Sequence, residues 1–340
     1  MEFKRELPSP EQVKAEFPVT GEMLAAKAVN DEEIREIILG RSSKFLLIVG
    51  PCSADREDAV LEYMGRLRRV QDKVQDKIKM VPRLYSNKPR TTGEGYKGML
   101  HQPNPHGKPD VLQGLIAIRR MHLAVLAETG FSGADEMLYP ESYRYLDDCL
   151  SYVAVGARSV ENQFYRLVVS GLSIPVGMKN PTSGDLSVMM NGILAARHGH
   201  TFVYSGWEVE SKGNPLVHAV LRGYANRHGQ MVPNYYYEDL QALLDFHRRM
   251  GLSNPSVIVD CNHANSGKQW EEQPRIAKEV LHSSRHSAEM RKFIKGIMLE
   301  SYLVDGNQDP EGQIYGQSIT DACLGWEKTE RLIYELAEQL

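Results

Sequence analysis

The sequence predicts a (β/α)8 barrel, in which eight parallel strands are surrounded by helices. Short apolar runs alternate with segments of helical periodicity, and this unit repeats eight times over roughly 290 residues. Eight units fit a closed barrel better than an open doubly wound sheet. No G-x-G-x-x-G motif follows the first apolar run, which weakens the alternative of a dinucleotide-binding sheet. We expect an N-terminal arm and helix over 1–40 and the barrel over 41–340.

The predicted elements begin with a helix over 21–40, where apolar residues recur at helical spacing and Gly40 ends the segment. The run 45–49 is continuously apolar, which is typical of a strand buried on both faces. Further strands are predicted at 78–83, 131–138, 152–157, 173–178, 201–204, 256–259 and 294–299. Helices are predicted at 56–75, 111–129, 141–150, 160–171, 185–198, 238–250, 273–290 and 318–338. The polar stretch 205–234 is interpreted as a small β-hairpin and loop inserted after the sixth strand.

Composition limits the classes of function. Hydrophobic residues make up 42% of the chain and charged residues 25%, which is ordinary for a soluble protein with a large core. A net charge of −4 argues against a nucleic-acid partner. The sequence shows neither an apolar run that would span a membrane nor a secretory signal, so we expect a cytoplasmic protein with no membrane partner. Its four cysteines form no C-x-x-C pair and are expected to be reduced thiols.

Chemically active side chains stand at the ends of the predicted strands. These residues are Cys52, Arg83, Glu136, Arg158, Lys179, Asp260, His263 and Glu300. Only the sixth predicted strand lacks such a group. Side chains of these types are costly to bury without partners, so their recurrence at one end of a barrel predicts a shared polar site.

The segment 83–92 contains three cations and four hydroxyls, and Pro89 stiffens it. By itself such a segment is explained equally well by a solvated basic turn. The remaining cations favour an anion site instead, because guanidinium and ammonium groups bind phosphate and carboxylate. The cationic set is Arg83, Lys88, Arg90, Arg158, Lys179 and, from the loop after the sixth predicted strand, Arg222.

Four further residues are candidate ligands of one divalent metal ion: Cys52, His263, Glu300 and Asp321. Each has a structural alternative. The cysteine is explained equally by core packing, the histidine by a structural hydrogen bond, and the carboxylates by an ion pair or a position early in the last helix. Taken together, soft and hard donors at one end of a predicted barrel are better explained by a metal site.

At this point the motifs resemble those of the type I-alpha 3-deoxy-D-arabino-heptulosonate 7-phosphate (DAHP) synthases. The resemblance runs from about residue 8 to the C-terminus. It rests on 50–53 (GPCS), 88–92 (KPRTT), 156–158 (GAR), 175–180 (PVGMKN), 221–223 (LRG), 263–266 (HANS), 300–301 (ES), 306–308 (GNQ) and 315–322 (YGQSITDA). It implies the metal-dependent condensation of phosphoenolpyruvate with erythrose 4-phosphate and water, which opens the shikimate pathway to the aromatic amino acids.

The resemblance also implies a role for each matching residue. Binding of phosphoenolpyruvate is implied for Arg83, Lys88, Glu136, Ala157, Arg158, Lys179 and Arg222. Binding of erythrose 4-phosphate is implied for Pro89, Arg90 and Thr91. Metal binding is implied for Cys52, His263, Glu300 and Asp321, and catalytic roles for Lys88, His263, Cys52 and Asp321. Lys88 is a candidate proton donor, whereas the attacking water has candidates in both Glu136 and the metal-side groups. Mn, Co, Fe and Zn all remain open as the metal.

Two features concern regulation and assembly. Feedback-inhibited members of the family use the segment after the third strand, the hairpin and the N-terminal arm to bind an aromatic amino acid. Here the first of these segments, 139–145, reads YPESYRY and departs from the family's pattern, and the hairpin is shorter. We therefore expect weak feedback inhibition or none. The resemblance and the polar arm suggest a homodimer or homotetramer. The alternatives are another metal-dependent sugar-phosphate aldolase and a non-catalytic metabolite-binding barrel.

Overall fold

Eight parallel strands form the central sheet, which we describe from a computed structural model over residues 1–90 and 93–340. In chain order, β1 to β8 are Phe45–Gly50, Ile78–Pro82, Gly133–Glu136, Leu150–Val155, Val176–Lys179, Val217–Leu221, Val257–Asp260 and Ile294–Glu300. Hydrogen bonds join them in the order β2, β1, β8, β7, β6, β5, β4 and β3. A parallel bridge between Arg83 and Ala134 joins the ends of β2 and β3. The sheet therefore closes on itself, and the predicted (β/α)8 barrel is confirmed.

Helices follow the strands and pack around them. In chain order, α1 to α10 are Pro10–Glu16, Gly21–Ile38, Glu57–Val74, Val111–Thr129, Gln163–Ser170, Leu186–Ala196, Tyr237–Arg249, Gln273–Arg285, Ala288–Phe293 and Trp326–Gln339. Short 3-10 turns lie at Pro140–Tyr145 and Trp270–Glu272. Among the helices of the described residues, none combines the length and apolarity needed to cross a membrane.

The predicted position of the sixth barrel strand is wrong. Thr201–Tyr204 pairs with Trp207–Glu210 in an exposed hairpin, whereas the sixth barrel strand is Val217–Leu221. His218 interrupts the apolar run of that strand in the sequence. In the structure its ring is fully buried, and its Nε2 lies 2.8 Å from the hydroxyl of Tyr152. This hydrogen bond makes burial of the imidazole tolerable, and an apolar pattern cannot reveal it.

Other differences concern the ends of elements. A second hairpin, Tyr224–Ala225 with Met231–Val232, does follow the sixth strand. The predicted helix over 141–150 is only the 3-10 turn described above. The predicted helix over 273–290 is divided into α8 and α9, because Ser287 caps a new helix by accepting a hydrogen bond from the backbone of Met290. The last helix begins at Trp326, so Asp321 lies in the loop before it.

The core has two layers. One fills the space between the strands and the outer helices, and the other fills the barrel interior. Ile34, Ile37 and Ile38 of α2 belong to the interior layer. The carbonyl of Ile38 accepts hydrogen bonds from Asn254 and Ser256, which directly precede β7. The end of α2 therefore closes the N-terminal end of the barrel, and the opposite end is left for a site.

We expect this closure to contribute strongly to stability. The Ile37→Ala variant should lower the free energy of unfolding by about 2–5 kcal/mol, because a fully buried isoleucine leaves a cavity. Val29→Ala on the same helix is the matched control, since Val29 is 61% exposed and should change stability by about 0.5 kcal/mol or less. Denaturant unfolding measures both variants. Equal effects would contradict the assignment of α2 as the closure.

Candidate active site

The carboxyl ends of the eight strands surround a cavity of about 290 Å³. It is lined by Cys52, Arg83, Tyr85, Asn87, Lys88, Pro89, Arg90, Glu94, Glu136, Ala157, Arg158, Lys179, Arg222, His263, Lys268, Glu300 and Asp321. The residues predicted to bind substrates or metal are all among them, except Thr91, which lies outside the described residues. Asp260, which the sequence also placed at a strand end, is not part of the lining. The fold explains this convergence, because parallel strands of a barrel end at the same face.

Each strand contributes to the cavity at its carboxyl end. Cys52, Arg83, Glu136, Arg158, Lys179, Arg222, His263 and Glu300 end or follow β1 to β8 in that order. The expectation that the sixth strand lacks a chemical group is therefore wrong. Arg222 comes directly after Leu221, the last residue of β6. The error follows from the misplaced sixth strand.

Three of the four predicted metal ligands form a cluster. One donor atom each from Cys52, Glu300 and Asp321 lies within 4.8 Å of the other two. The fourth residue, His263, is adjacent, with Nε2 3.6 Å from Oε1 of Glu300. Burial, reinforced by the negative charge of Glu300, raises the pKa of the Cys52 thiol to about 11. A thiolate at this position therefore requires additional positive charge.

Lys88 lies between two of these donors. Its Nζ is 2.8 Å from Sγ of Cys52 and 2.8 Å from Oδ2 of Asp321. Burial favours the neutral amine, but the charges of Cys52 and Asp321 outweigh it and raise the pKa of Lys88 above its ordinary value. Burial likewise opposes ionisation of Asp321, yet Lys88 lowers the pKa of that carboxyl. The position between the donors therefore favours a cation.

The orientation of His263 depends on Asp260, which the sequence places at a strand end of the predicted site without a role of its own. His263 has a positive φ of 53°, an uncommon conformation for a residue other than glycine. Its Nδ1 lies 2.9 Å from Oδ2 of Asp260, which is fully buried at the end of β7. Nε2 is then directed to Glu300. A carboxylate behind a metal-binding imidazole is a common arrangement.

Glu300 is held by two buried neighbours. Nη2 of Arg83 lies 3.0 Å from one of its carboxylate oxygens, and Nδ2 of Asn262 donates to the other at 2.5 Å. The guanidinium of Arg83 also stacks over the ring of Tyr85, with 3.8 Å between the guanidinium carbon and the ring centroid. Both charges of the ion pair are thus positioned before any ligand binds.

The opposite side of the cavity is rich in cations. Lys179 donates to Glu136 at 2.6 Å, and both residues are buried. A Cβ at Gly156 would lie 2.7 Å from the carboxylate of Glu136, so only glycine fits beside it.

Burial lowers the pKa of Arg222, and Asp260 offsets this only in part. The Arg222 guanidinium has no hydrogen-bond or ion-pair partner within the described part of the chain. An anionic ligand would supply one.

Pro89 and Arg90 lie at the edge of the cavity. Nε of Arg90 donates to the carbonyl of Tyr96 at 2.8 Å, so the guanidinium is fixed to the neighbouring loop.

Asp135 is not part of the cavity lining. It accepts hydrogen bonds from the backbone and hydroxyl of Ser86, and burial raises its pKa to about 7. Asp135 therefore supports the loop that carries Lys88 and Arg90.

Several lining residues were missed in the sequence. Tyr85, Asn87 and Glu94 stand near the predicted cations, but no pattern distinguishes them from ordinary loop residues. Lys268 had a usable signal, because it follows His263 by five residues in the same loop. Its Nζ lies 3.7 Å from Asp321.

Comparison with known proteins identifies the family of the chain. The model of the DAHP synthetase I family matches residues 16–333. The Tyr-sensitive phospho-2-dehydro-3-deoxyheptonate aldolase of Escherichia coli K12 is 38% identical, over 98% of this chain and 93% of that protein. The Phe-sensitive aldolase of the same strain is 35% identical, over 98% and 94%.

The structural comparison agrees. The solved phospho-2-dehydro-3-deoxyheptonate aldolase of Francisella tularensis SCHU S4 superposes with a TM-score of 0.91 at 30% identity, and covers 100% of this chain and 98% of that one. The family resemblance expected from the motifs is confirmed. With both the sequence and the fold matched over nearly their whole length, the chain belongs to the DAHP synthetase I family of enzymes.

Proposed function

We propose that this enzyme condenses phosphoenolpyruvate with erythrose 4-phosphate and water to form DAHP and phosphate, the first step of the shikimate pathway. The observation that carries this proposal is the charge of the cavity. Its described lining contains seven Lys or Arg side chains and four Asp or Glu side chains. Such an excess of cations around a narrow site requires anionic ligands, and the two substrates together bring two phosphates and one carboxylate.

The distribution of the cations supports a division between the two substrates. Arg158, Lys179 and Arg222 lie at or shortly after the ends of the adjacent strands β4, β5 and β6, where phosphoenolpyruvate would bind with Arg83 and Lys88. Pro89 and Arg90 lie on the loop after β2 and would hold the phosphate of erythrose 4-phosphate together with Thr91, which is outside the described residues. Ala157 and Glu136 would complete the contacts to phosphoenolpyruvate.

The donor cluster fits one divalent metal ion, bound by Cys52, His263, Glu300 and Asp321. A soft thiolate and an imidazole beside two carboxylates suit Mn, Co, Fe or Zn. When bound, such an ion would act as a Lewis acid on the aldehyde oxygen and make its carbon more electrophilic. The position of the Lys88 ammonium beside the same donors supports a preference for positive charge there.

The residues of the chain then have separate tasks. The cations hold the two phosphates so that the methylene carbon of phosphoenolpyruvate faces the aldehyde carbon, and a carbon–carbon bond forms between them. The aldehyde oxygen gains negative charge and takes a proton, for which Lys88 is the proposed donor because it is held as an ammonium. Water adds to the positively charged central carbon of phosphoenolpyruvate, and phosphate leaves. Glu136 is one candidate to orient that water, and the metal-side groups are the other.

We also propose a homodimer or homotetramer in the cytoplasm. The side chains of Val203 and Trp207 on the hairpin are each 71% exposed, which favours contact with another copy of the chain. A reducing compartment would keep the Cys52 thiol free to bind metal.

The first prediction concerns the metal. A chelator should abolish phosphate release from phosphoenolpyruvate in the presence of erythrose 4-phosphate, and adding back Mn, Co, Fe or Zn should restore it.

Cys52→Ala should lose activity and tight metal binding but remain folded, because it removes the thiol ligand. Cys149→Ala is the matched control, since Cys149 is equally buried but does not line the cavity. Full activity of the Cys52 variant would refute the metal assignment. Phosphate release with arabinose 5-phosphate in place of erythrose 4-phosphate would favour the alternative of another sugar-phosphate aldolase.

The second prediction separates the two anion sites. Arg222→Gln should raise the KM for phosphoenolpyruvate about tenfold or more, because one charge-assisted hydrogen bond is lost. Arg90→Gln should raise the KM for erythrose 4-phosphate by a similar factor. Steady-state kinetics with each substrate varied at saturating concentration of the other measures both effects. If both variants raised the same KM, the proposed division would be wrong.

The third prediction concerns regulation. We propose weak feedback inhibition or none by Phe, Tyr or Trp, although some relatives are named for sensitivity to one of these amino acids. The segments in question are tied to one another here, since the Tyr204 hydroxyl donates to the carbonyl of Pro140 at 2.7 Å and Lys14 pairs with Asp147. Assays with each amino acid at millimolar concentration should leave most of the activity. Abolition of activity by any one of them would overturn this proposal.

A further inference from the structure

A recess at the N-terminal end of the barrel, remote from the candidate active site, is strongly cationic. It consists of two adjoining cavities of about 350 and 470 Å³, which share Gly40, Ala288, Lys292 and Lys295. The smaller cavity is lined by the cations Arg41, Lys44, Arg285, Arg291, Lys292 and Lys295 and by the hydroxyls of Ser42, Ser43 and Ser284. Among the residues that the structure describes, no Asp or Glu lines this cavity.

Lys295 is the central residue of this recess. It is the second residue of β8 and only 6% exposed. It stands on the same face of the strand as Ile297 and Leu299, which pack against the helices. A lysine at such a position is unusual, because burying an ammonium group without a partner is costly. Burial and the nearby charge of Lys292 lower the pKa of Lys295 to about 8.

The ammonium group of Lys295 has no ion-pair or hydrogen-bond partner over residues 1–90 and 93–340. It lies against the backbone at the end of α2, where a Cβ added to Gly40 would come within 3.0 Å of its Nζ. Gly40 has a φ of +72° and ends the helix in the left-handed conformation that glycine adopts most readily. Lys295 lies in the wall that the two cavities share.

The neighbouring cations differ in whether they are compensated. Lys44 pairs with Glu33 at 3.0 Å, and Arg41 pairs with Glu36 at 3.0 Å. Arg285, Arg291 and Lys292 have no such ion pair within the described chain. Three exposed cations from α8 and α9 therefore line the recess without an ion pair of their own. The carboxylate that lines its larger cavity, Glu289, pairs with Arg248 instead.

We propose that this recess, which we call the basal recess, binds a small phosphate-bearing anion through Lys295, with Arg285, Arg291 and Lys292 at its rim. A phosphate dianion fits the observations because it accepts several charge-assisted hydrogen bonds at once, and the hydroxyls of Ser42 and Ser43 add neutral donors. The cavity is large enough for a phosphorylated metabolite and not only for the free ion. The structure thus assigns two anion-binding regions to the two ends of one barrel.

A labelling experiment tests the proposal on the unmodified protein. Acetic anhydride acetylates amines in proportion to their neutral fraction and access, and peptide mass spectrometry reports each lysine separately. Inorganic phosphate at ten times its dissociation constant should slow labelling of Lys295 by about tenfold. Lys278 on α8 should label at an unchanged rate, since it lies outside the recess and pairs with Glu335. Sodium chloride at equal ionic strength controls for screening.

Equilibrium dialysis with radiolabelled phosphate provides the second readout. Lys295→Met, which keeps the length of the side chain, should bind one phosphate fewer per chain than the wild type, while Lys278→Met should bind the same number. If Lys295→Met does not fold, the variant carrying Arg291→Gln and Lys292→Gln on the exposed surface should bind that phosphate about tenfold more weakly or worse. An unprotected Lys295 in the wild type, or equal phosphate binding by the folded variants, would overturn the proposal.

Discussion

The buried ion pair between Arg83 and Glu300 is the interaction on which the site depends. The two groups are 3.0 Å apart, and each side chain is only 1% exposed. Removing either would leave an uncompensated charge in the barrel, at a cost of about 3–5 kcal/mol. The pair also joins the two halves of the cavity, because Glu300 faces the donor cluster and Arg83 stacks on Tyr85, whose ring faces Lys179. One interaction thereby connects the donor cluster to the cationic side of the cavity.

This constraint explains why the other charged groups are arranged in pairs. Two further ion pairs line the cavity, Lys179 with Glu136 and Lys88 with Asp321. Each pair places a cation at the cavity while limiting the cost of its burial. Arg222 departs from this pattern, since no such carboxylate pairs with it within the described residues. A substrate anion is the natural partner for a cation left in this state.

Much of the site could be predicted from the sequence because most of the strands are short and largely apolar. A chemically active residue at the end of such a run or within two residues of it, as in Cys52, Arg83 or Glu300, is easily recognised. The sixth strand could not be located in this way, because His218 interrupts its apolar run. The buried imidazole forms a hydrogen bond with Tyr152, which is 66 residues away in the sequence. Asp260 was noted at a strand end but not given its task, which depends on the backbone turn at His263. Such tasks arise from tertiary geometry, which local pattern does not encode.

The two faces of β8 show why the periodicity of the sequence does not explain Lys295. Met298 and Glu300 point into the barrel, where one fills the interior and the other serves the site, whereas Ile297 and Leu299 point outward to the helices. Strand periodicity therefore assigns Lys295 to the packing face, where a charge has no structural benefit. Lys295 is accommodated near the start of the strand because the packed layer between strands and helices opens there into the basal recess, beside Gly40. A residue that opposes its own periodicity in this way is better explained by a ligand than by packing.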